Sequence, residues 1–183
     1  MDSGSPTKQM SKTRLPRKSS NNLIGCAGEY YVCAELCRQG FLSLVTPKNN
    51  PLFDVVVTNP EGSDSVAIQV KTKSNKQGWK VGKDLETPQC NPDLFVVLVD
   101  LHTDGKTAFY IYEYNVLSNP VRDAYTAYMS QPKRDGGQRK EVQFRWFDLS
   151  HFTDDDTRRK NNWELITKKL DVVNTLTAPE ASI

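Results

Sequence analysis

The stretch from residue 53 to residue 73 constrains this chain more than any other. Phe53-Asp54-Val55-Val56-Val57-Thr58 is apolar and β-branched apart from its acid, and Asn59-Pro60-Glu61-Gly62 closes it with turn residues. Strand character resumes over 65–73, SVAIQVKTK. The pattern predicts two antiparallel strands joined as a hairpin. Gln69 and Lys71 are two residues apart and share one face, while Ile68 and Val70 point to the opposite, core-facing side. Pairing across the hairpin brings Asp54 within reach of Gln69 and Lys71.

Around the hairpin, other elements are legible. Asn21 or Asn22 caps a helix running to about residue 39, on which Ile24, Ala27, Tyr31 and Ala34 recur at helical spacing, and Gly40 stops it. Residues 74–91 read as a basic, glycine-containing loop, 94–101 as a strand buried on both faces, 103–106 as a turn and 107–112 as another strand. A helix is predicted over 115–129, interrupted by Pro120, then a polar loop over 132–138, a late strand over 142–147 and a short helix over 162–170. The order predicts an α/β (α+β) domain with a central mixed β-sheet flanked by helices. There is no internal repeat, no regular βαβ rhythm and no glycine-rich phosphate fingerprint.

The 183 residues suit one domain of ordinary size. By composition, 1–20 is a flexible basic arm, 21–172 the domain and 173–183 a flexible tail. The arm carries Lys8, Lys12, Arg14, Arg17 and Lys18, and is either a solvated tail or a contact for phosphates. A net charge of +2 supplies no global basic field, so any nucleic-acid partner must be met by local patches. The apolar run over 94–99 is far too short to span a bilayer, and the polar N-terminus is not a secretory signal. An intracellular, cytoplasmic protein is expected. Cys26, Cys33, Cys37 and Cys90 form no CxxC pair and read as buried or half-buried free thiols rather than a zinc site.

Asp54, Gln69 and Lys71 are polar where an ordinary hairpin does not need them. Asp54 offers hard carboxylate oxygens to Mg²⁺, and Gln69 a neutral amide oxygen. The Val70 carbonyl is a candidate third ligand, sufficient for an ion that keeps several waters. Lys71 beside such an ion could orient or deprotonate an attacking water, or offset charge building on a phosphate. Glu29 adds a carboxylate from the first helix. Gly25 and Gly28 beside it would let that helix approach a sheet or a phosphate backbone closely.

The pattern Gly28-Glu29, Asp54, Gln69-Val70-Lys71 resembles the PD-(D/E)XK nuclease superfamily over about residues 22–112. It is most similar to members with Gln in place of the usual acid, such as Mrr-type restriction enzymes and group I intron homing endonucleases. Archaeal-type Holliday-junction resolvases look similar in layout. The resemblance implies a restriction-endonuclease-like core and a Mg²⁺- or Mn²⁺-dependent endonuclease that hydrolyses phosphodiester bonds of DNA, expected as a homodimer with no membrane association. It implies Glu29, Asp54, Gln69 and Lys71 as catalytic residues, and Glu29, Asp54, Gln69 and Val70 as metal ligands. Phe53 stands where Pro is usual, and Gln69 lowers the negative charge available to a metal. The alternative is a DNA-binding module of the same fold without turnover.

Several other features compete for attention. Lys73, Lys76, Trp79, Lys80 and Lys83 interleave basic residues with an aromatic, which suits phosphate contact and base stacking, or else a solvated loop. Lys133, Arg134, Arg139, Lys140 and Arg145 form a second basic stretch, and Arg158, Arg159 and Lys160 a third. Pro92-Asp93 with Glu113 spells part of a nuclease motif, but no lysine follows at the required place. Asp154, Asp155 and Asp156 suit a helix N-terminus better than a metal. His102 and His151 have no partner pattern for His-based catalysis and read as structural. Trp163 reads as a core anchor.

Overall fold

The structure is a computed structural model and describes residues 21–48, 50–75, 77–101 and 106–171. The arm over 1–20, the tail over 173–183, and His102 lie outside the described residues. Helix α1 (Asn21–Arg38) is followed by strands β1 (Leu42–Val45), β2 (Val55–Thr58) and β3 (Ser65–Lys73). Then come β4 (Trp79–Gly82), β5 (Leu94–Asp100), β6 (Ala108–Glu113), α2 (Tyr114–Ser130), β7 (Phe144–Phe147), α3 (Asp154–Arg158) and α4 (Glu164–Leu170). Five strands form a mixed sheet in the order β1-β2-β3-β5-β6. β4 and β7 pair as a separate antiparallel ribbon.

β3 is the central strand. It pairs antiparallel with β2, Val55 opposite Ile68, and parallel with β5, Gln69 opposite Val96. The parallel step requires a crossover, and residues 74–93 make it. All seven residues of β5 are buried, because the sheet has a core on each face. Phe95, Val97 and Val99 join Val32, Leu36, Ile68 and Ile166 on one side. Leu94, Val96 and Leu98 join Trp79, Tyr112, Leu117 and Phe147 on the other. Helices α1 and α4 therefore cover one face, and α2 with the β4–β7 ribbon covers part of the other.

The sheet and helices agree with the expected fold class. Three local expectations are corrected. Residues 79–82 are a strand rather than loop, only four residues long, which exists because its partner β7 lies beside it. Pro120 does not interrupt α2. The missing N–H would have bonded the carbonyl of Val116, an exposed residue, so the loss falls on the water side of the helix. Cys37 and Cys90 are exposed, and only Cys33 is buried.

Gly40 has φ +96° and stops α1, with the Gly40 N–H on Cys37 O at 3.0 Å and the Phe41 N–H on Leu36 O at 3.1 Å. Gly28 has a different use. A Cβ added there would stand 1.9 Å from Thr72 Oγ1, so only glycine lets α1 lie this close to β3. No such contact surrounds Gly25, where nothing among the described residues lies within 4 Å of an added Cβ. The acidic run at 154–156 begins α3. Thr153 and Asp156 form a capping box there, and Asp156 also accepts a hydrogen bond from Tyr112 Oη at 3.0 Å.

Candidate active site

Asp54 stands where β2 begins. Its N–H donates to Ile68 O at 2.9 Å and extends the β2–β3 ladder by one residue. Its side chain then turns along β3, and Oδ2 accepts the Val70 N–H at 2.7 Å. The carboxylate thus replaces a strand partner for Val70, on the edge of β3 that β2 has left open. The backbone of Asp54 is held from behind: Thr46 donates its N–H to Asp54 O at 2.8 Å, and Thr46 Oγ1 lies 3.1 Å from Phe53 O. Asn50 Oδ1 accepts the Leu52 N–H at 3.0 Å and orders the same loop.

Gln69 and Lys71 share the opposite face of β3 from Val70, as their spacing requires. Gln69 is 5% exposed, and its Oε1 has no hydrogen-bond partner among the described residues. A buried amide oxygen without a partner costs about 1–3 kcal/mol, and native structures rarely tolerate one without a reason. A hard cation is such a reason. The donor set fits it: one carboxylate, one amide oxygen and a strand-edge backbone carbonyl, all oxygens. Among the described residues no group of three or more His, Cys, Asp or Glu is placed to hold a metal ion.

Glu29 is carried over this end of the hairpin by α1, one residue from the Gly28–Thr72 contact. Burial pushes its carboxyl pKa up, and the Asp54 charge pushes it further. Lys48 and Lys71 pull it back down. Asp54, Lys48 and Lys71 are thus each within electrostatic reach of Glu29. Lys48, in the β1–β2 connection, was missed by sequence reasoning. It is an exposed lysine whose pKa is raised first by a hydrogen bond from its ammonium to Cys26 and then by the charges of Cys26 and Glu29. Nothing in its local sequence marks it.

The basic loop predicted to touch nucleic acid is largely reassigned. Trp79 is fully buried, donates Nε1–H to Val99 O at 2.8 Å, and stacks against Phe152. It offers no face to a base. Lys73 is 7% exposed, pairs with Asp100 at 3.1 Å, and lies 4.1 Å from the Trp79 ring centroid. It is a core ion pair, not a phosphate contact. Lys83 is engaged by Glu141. Lys76 lies outside the described residues. Lys80 alone remains exposed, without a carboxylate partner among the described residues. In the second basic stretch Arg145 is also structural, 2% exposed and forked onto Glu86. His151 accepts the Asp148 N–H and stacks on Phe147, a structural role as expected.

No family model matches this chain, and no curated protein does. Solved structures similar to it include two nucleases. One is a bacterial homing endonuclease, at 18% identity and TM-score 0.45, over 82% of this chain and 94% of that one. The other is Hjc, a Holliday junction resolvase of Archaeoglobus fulgidus, at 16% identity and TM-score 0.40, over 70% and 86%. Both are of the kinds that the motif resembles. At these values the likeness carries nothing about the chemistry, which rests on the residues above. No helix among the described residues is long and apolar enough to cross a membrane.

Proposed function

We propose that this chain is a nuclease of the PD-(D/E)XK kind, a metal-dependent endonuclease that hydrolyses phosphodiester bonds of DNA. One observation carries the reading: Gln69 Oε1 is buried without a partner among the described residues, and the next residue, Val70, gives its N–H to the Asp54 carboxylate. Asp54, Gln69 and the Val70 carbonyl would hold Mg²⁺ or Mn²⁺, with Glu29 the candidate for further ligation. When bound, such an ion polarises the phosphate and lowers the pKa of a coordinated water. Lys71 places a cation beside the reacting phosphate, where it offsets developing charge. Glu29, already displaced toward protonation by burial and Asp54, positions the attacking water and can accept its proton on a carboxylate oxygen. Two such domains acting on opposite strands make a homodimer the assembly to expect, with the cytoplasm as its place of action.

A DNA-binding module without turnover is the second reading. It is favoured by Gln69 itself, since a neutral ligand binds a divalent cation less tightly than a carboxylate. The test is incubation with plasmid, single-stranded and branched DNA in Mg²⁺ or Mn²⁺, beside Asp54→Ala and Lys71→Ala. Cleavage by the parent alone supports the nuclease. Equal cleavage by all three proteins contradicts the site, and binding without cleavage supports the module.

A further inference from the structure

The β4–β7 ribbon has an outer face that the site above does not use. Of the three tryptophans, Trp79 and Trp163 are buried, whereas Trp146 is 47% exposed. Trp146 lies directly opposite Lys80 in the ribbon register. The Lys80 ammonium sits 4.2 Å from the centroid of Phe144, the next outward residue of β7. Trp146 is a wall shared by two hollows. One, of about 400 Å³, is lined by Tyr128, Phe144, Lys140 and His151. The other, of about 330 Å³, is lined by Lys80, Ser74, Asn21 and Thr72, and Thr72 is the chain neighbour of Lys71. Both are in the size range of small-ligand sites.

The charge around Trp146 is mostly positive. Lys80, Arg139 and Lys140 have no carboxylate in ion-pair distance among the described residues, and Arg139 packs 3.9 Å over the Tyr128 ring. The lining carboxylate, Asp148, accepts hydrogen bonds from the Ser150 N–H and hydroxyl. Flat aromatic surface edged by unpaired cations is complementary to an anion that carries flat aromatic groups. We propose that the outer face of the ribbon, centred on Trp146 and Lys80, is a stacking platform for unpaired nucleobases of a DNA strand. The proposal rests on the nuclease reading to the extent that the platform adjoins that site and would hold single-stranded DNA flanking the scissile phosphate. Base–aromatic stacking is sequence-tolerant, so the platform selects strand structure rather than sequence.

The experiment uses the full chain in EDTA, where no cleavage is possible, and three probes of equal length: oligothymidylate, its abasic counterpart and a blunt duplex. Because Trp146 is the exposed tryptophan, its fluorescence reports stacking. Oligothymidylate should quench it, and the abasic strand, with the same phosphates, should not. Trp146→Leu should abolish the quench and weaken binding about 5- to 150-fold, the loss of one stacked base. Trp146→Phe should retain most of the affinity. Lys80→Ala should lower the salt slope of single-strand binding by about 0.7, the loss of one phosphate contact. Trp146→Leu is half-exposed and its folding is checked by an unchanged melting temperature. Equal affinity for the abasic strand, or unchanged binding by Trp146→Leu, overturns the proposal. So does binding to none of the probes, which would leave the hollow to an aromatic side chain of a protein. Failure of metal-dependent cleavage with the quench intact sinks the nuclease reading alone.

Discussion

Gly28→Ala and Gly25→Ala place the same methyl group on the same helix, three residues apart, and should act in opposite directions. Alanine in a helix is favoured over glycine by about 0.5–1 kcal/mol. At Gly25 no described residue opposes the gain, because an added Cβ meets none of their atoms within 4 Å. At Gly28 the added Cβ stands 1.9 Å from Thr72 Oγ1 and 3.0 Å from Thr72 Cβ. Rotating the hydroxyl away relieves only the first contact, so α1 must lift from β3. Overpacking of this kind costs about 1–3 kcal/mol. The two variants should therefore differ by about 1–3 kcal/mol, with Gly25→Ala above the parent. For a domain of this size that is a separation of roughly 2–12 °C in melting temperature. Function should follow the lift, since Glu29 is the next residue, and a displacement of about 1 Å can cost ~10²-fold in rate. Melting curves and DNA cleavage of both variants are the assay. Adding Thr72→Ala to Gly28→Ala should recover part of the loss and no more, because the Cβ–Cβ contact remains. If Gly28→Ala is as stable as Gly25→Ala and cuts DNA like the parent, the Gly28–Thr72 contact does not position Glu29.

Two further outcomes follow from buried charge. Lys73→Met leaves Asp100 buried without its 3.1 Å partner and should cost about 3–5 kcal/mol in urea unfolding, most of which Lys73→Met with Asp100→Leu should restore; a loss below about 1 kcal/mol would contradict the pair's burial. Glu29→Gln should separate stability from activity. Burial and Asp54 hold the folded-state pKa of Glu29 above its unfolded value of about 4.3, so its ionised form opposes folding above the folded pKa and the penalty disappears below the unfolded one. The variant should melt above the parent at pH 8, with the advantage fading as pH falls toward 4, while cleavage is lost. A difference independent of pH would contradict that origin.

The hairpin was legible because its alternation is local: Gln69 and Lys71 share the face that a two-residue period gives them, and Val55 opposite Ile68 starts the pairing one residue after Asp54. β5 was legible as a strand buried on both faces from its unbroken apolar run. Elements made by distant pairing were not. Trp79 and Lys80 lie in a stretch that reads as loop, because their partner β7 is more than sixty residues further on. That pairing turns Trp79 and Val81 inward and Lys80 outward, which reverses the aromatic's expected role. The face shared by Gln69, Lys71 and Lys73 was also correctly periodic, but periodicity cannot say that the crossover folds back over its far end and buries Lys73 against Trp79. Both glycines suit close approach, yet Gly28 makes one and Gly25 does not among the described residues. Only the contact partner, Thr72, distinguishes them.

The central claim is that Asp54 and Gln69 share a divalent cation that cleavage requires. It is tested most directly by the rate of plasmid cleavage as a function of Mg²⁺ concentration, for the parent, Asp54→Ala and Gln69→Glu. The parent should be inactive in EDTA and saturate with Mg²⁺. Gln69→Glu, which adds a charge to the ligand set, should saturate at lower Mg²⁺, and Asp54→Ala should not cut at any concentration. Cleavage that is indifferent to Mg²⁺, or that survives Asp54→Ala at the parent's rate, would contradict the claim.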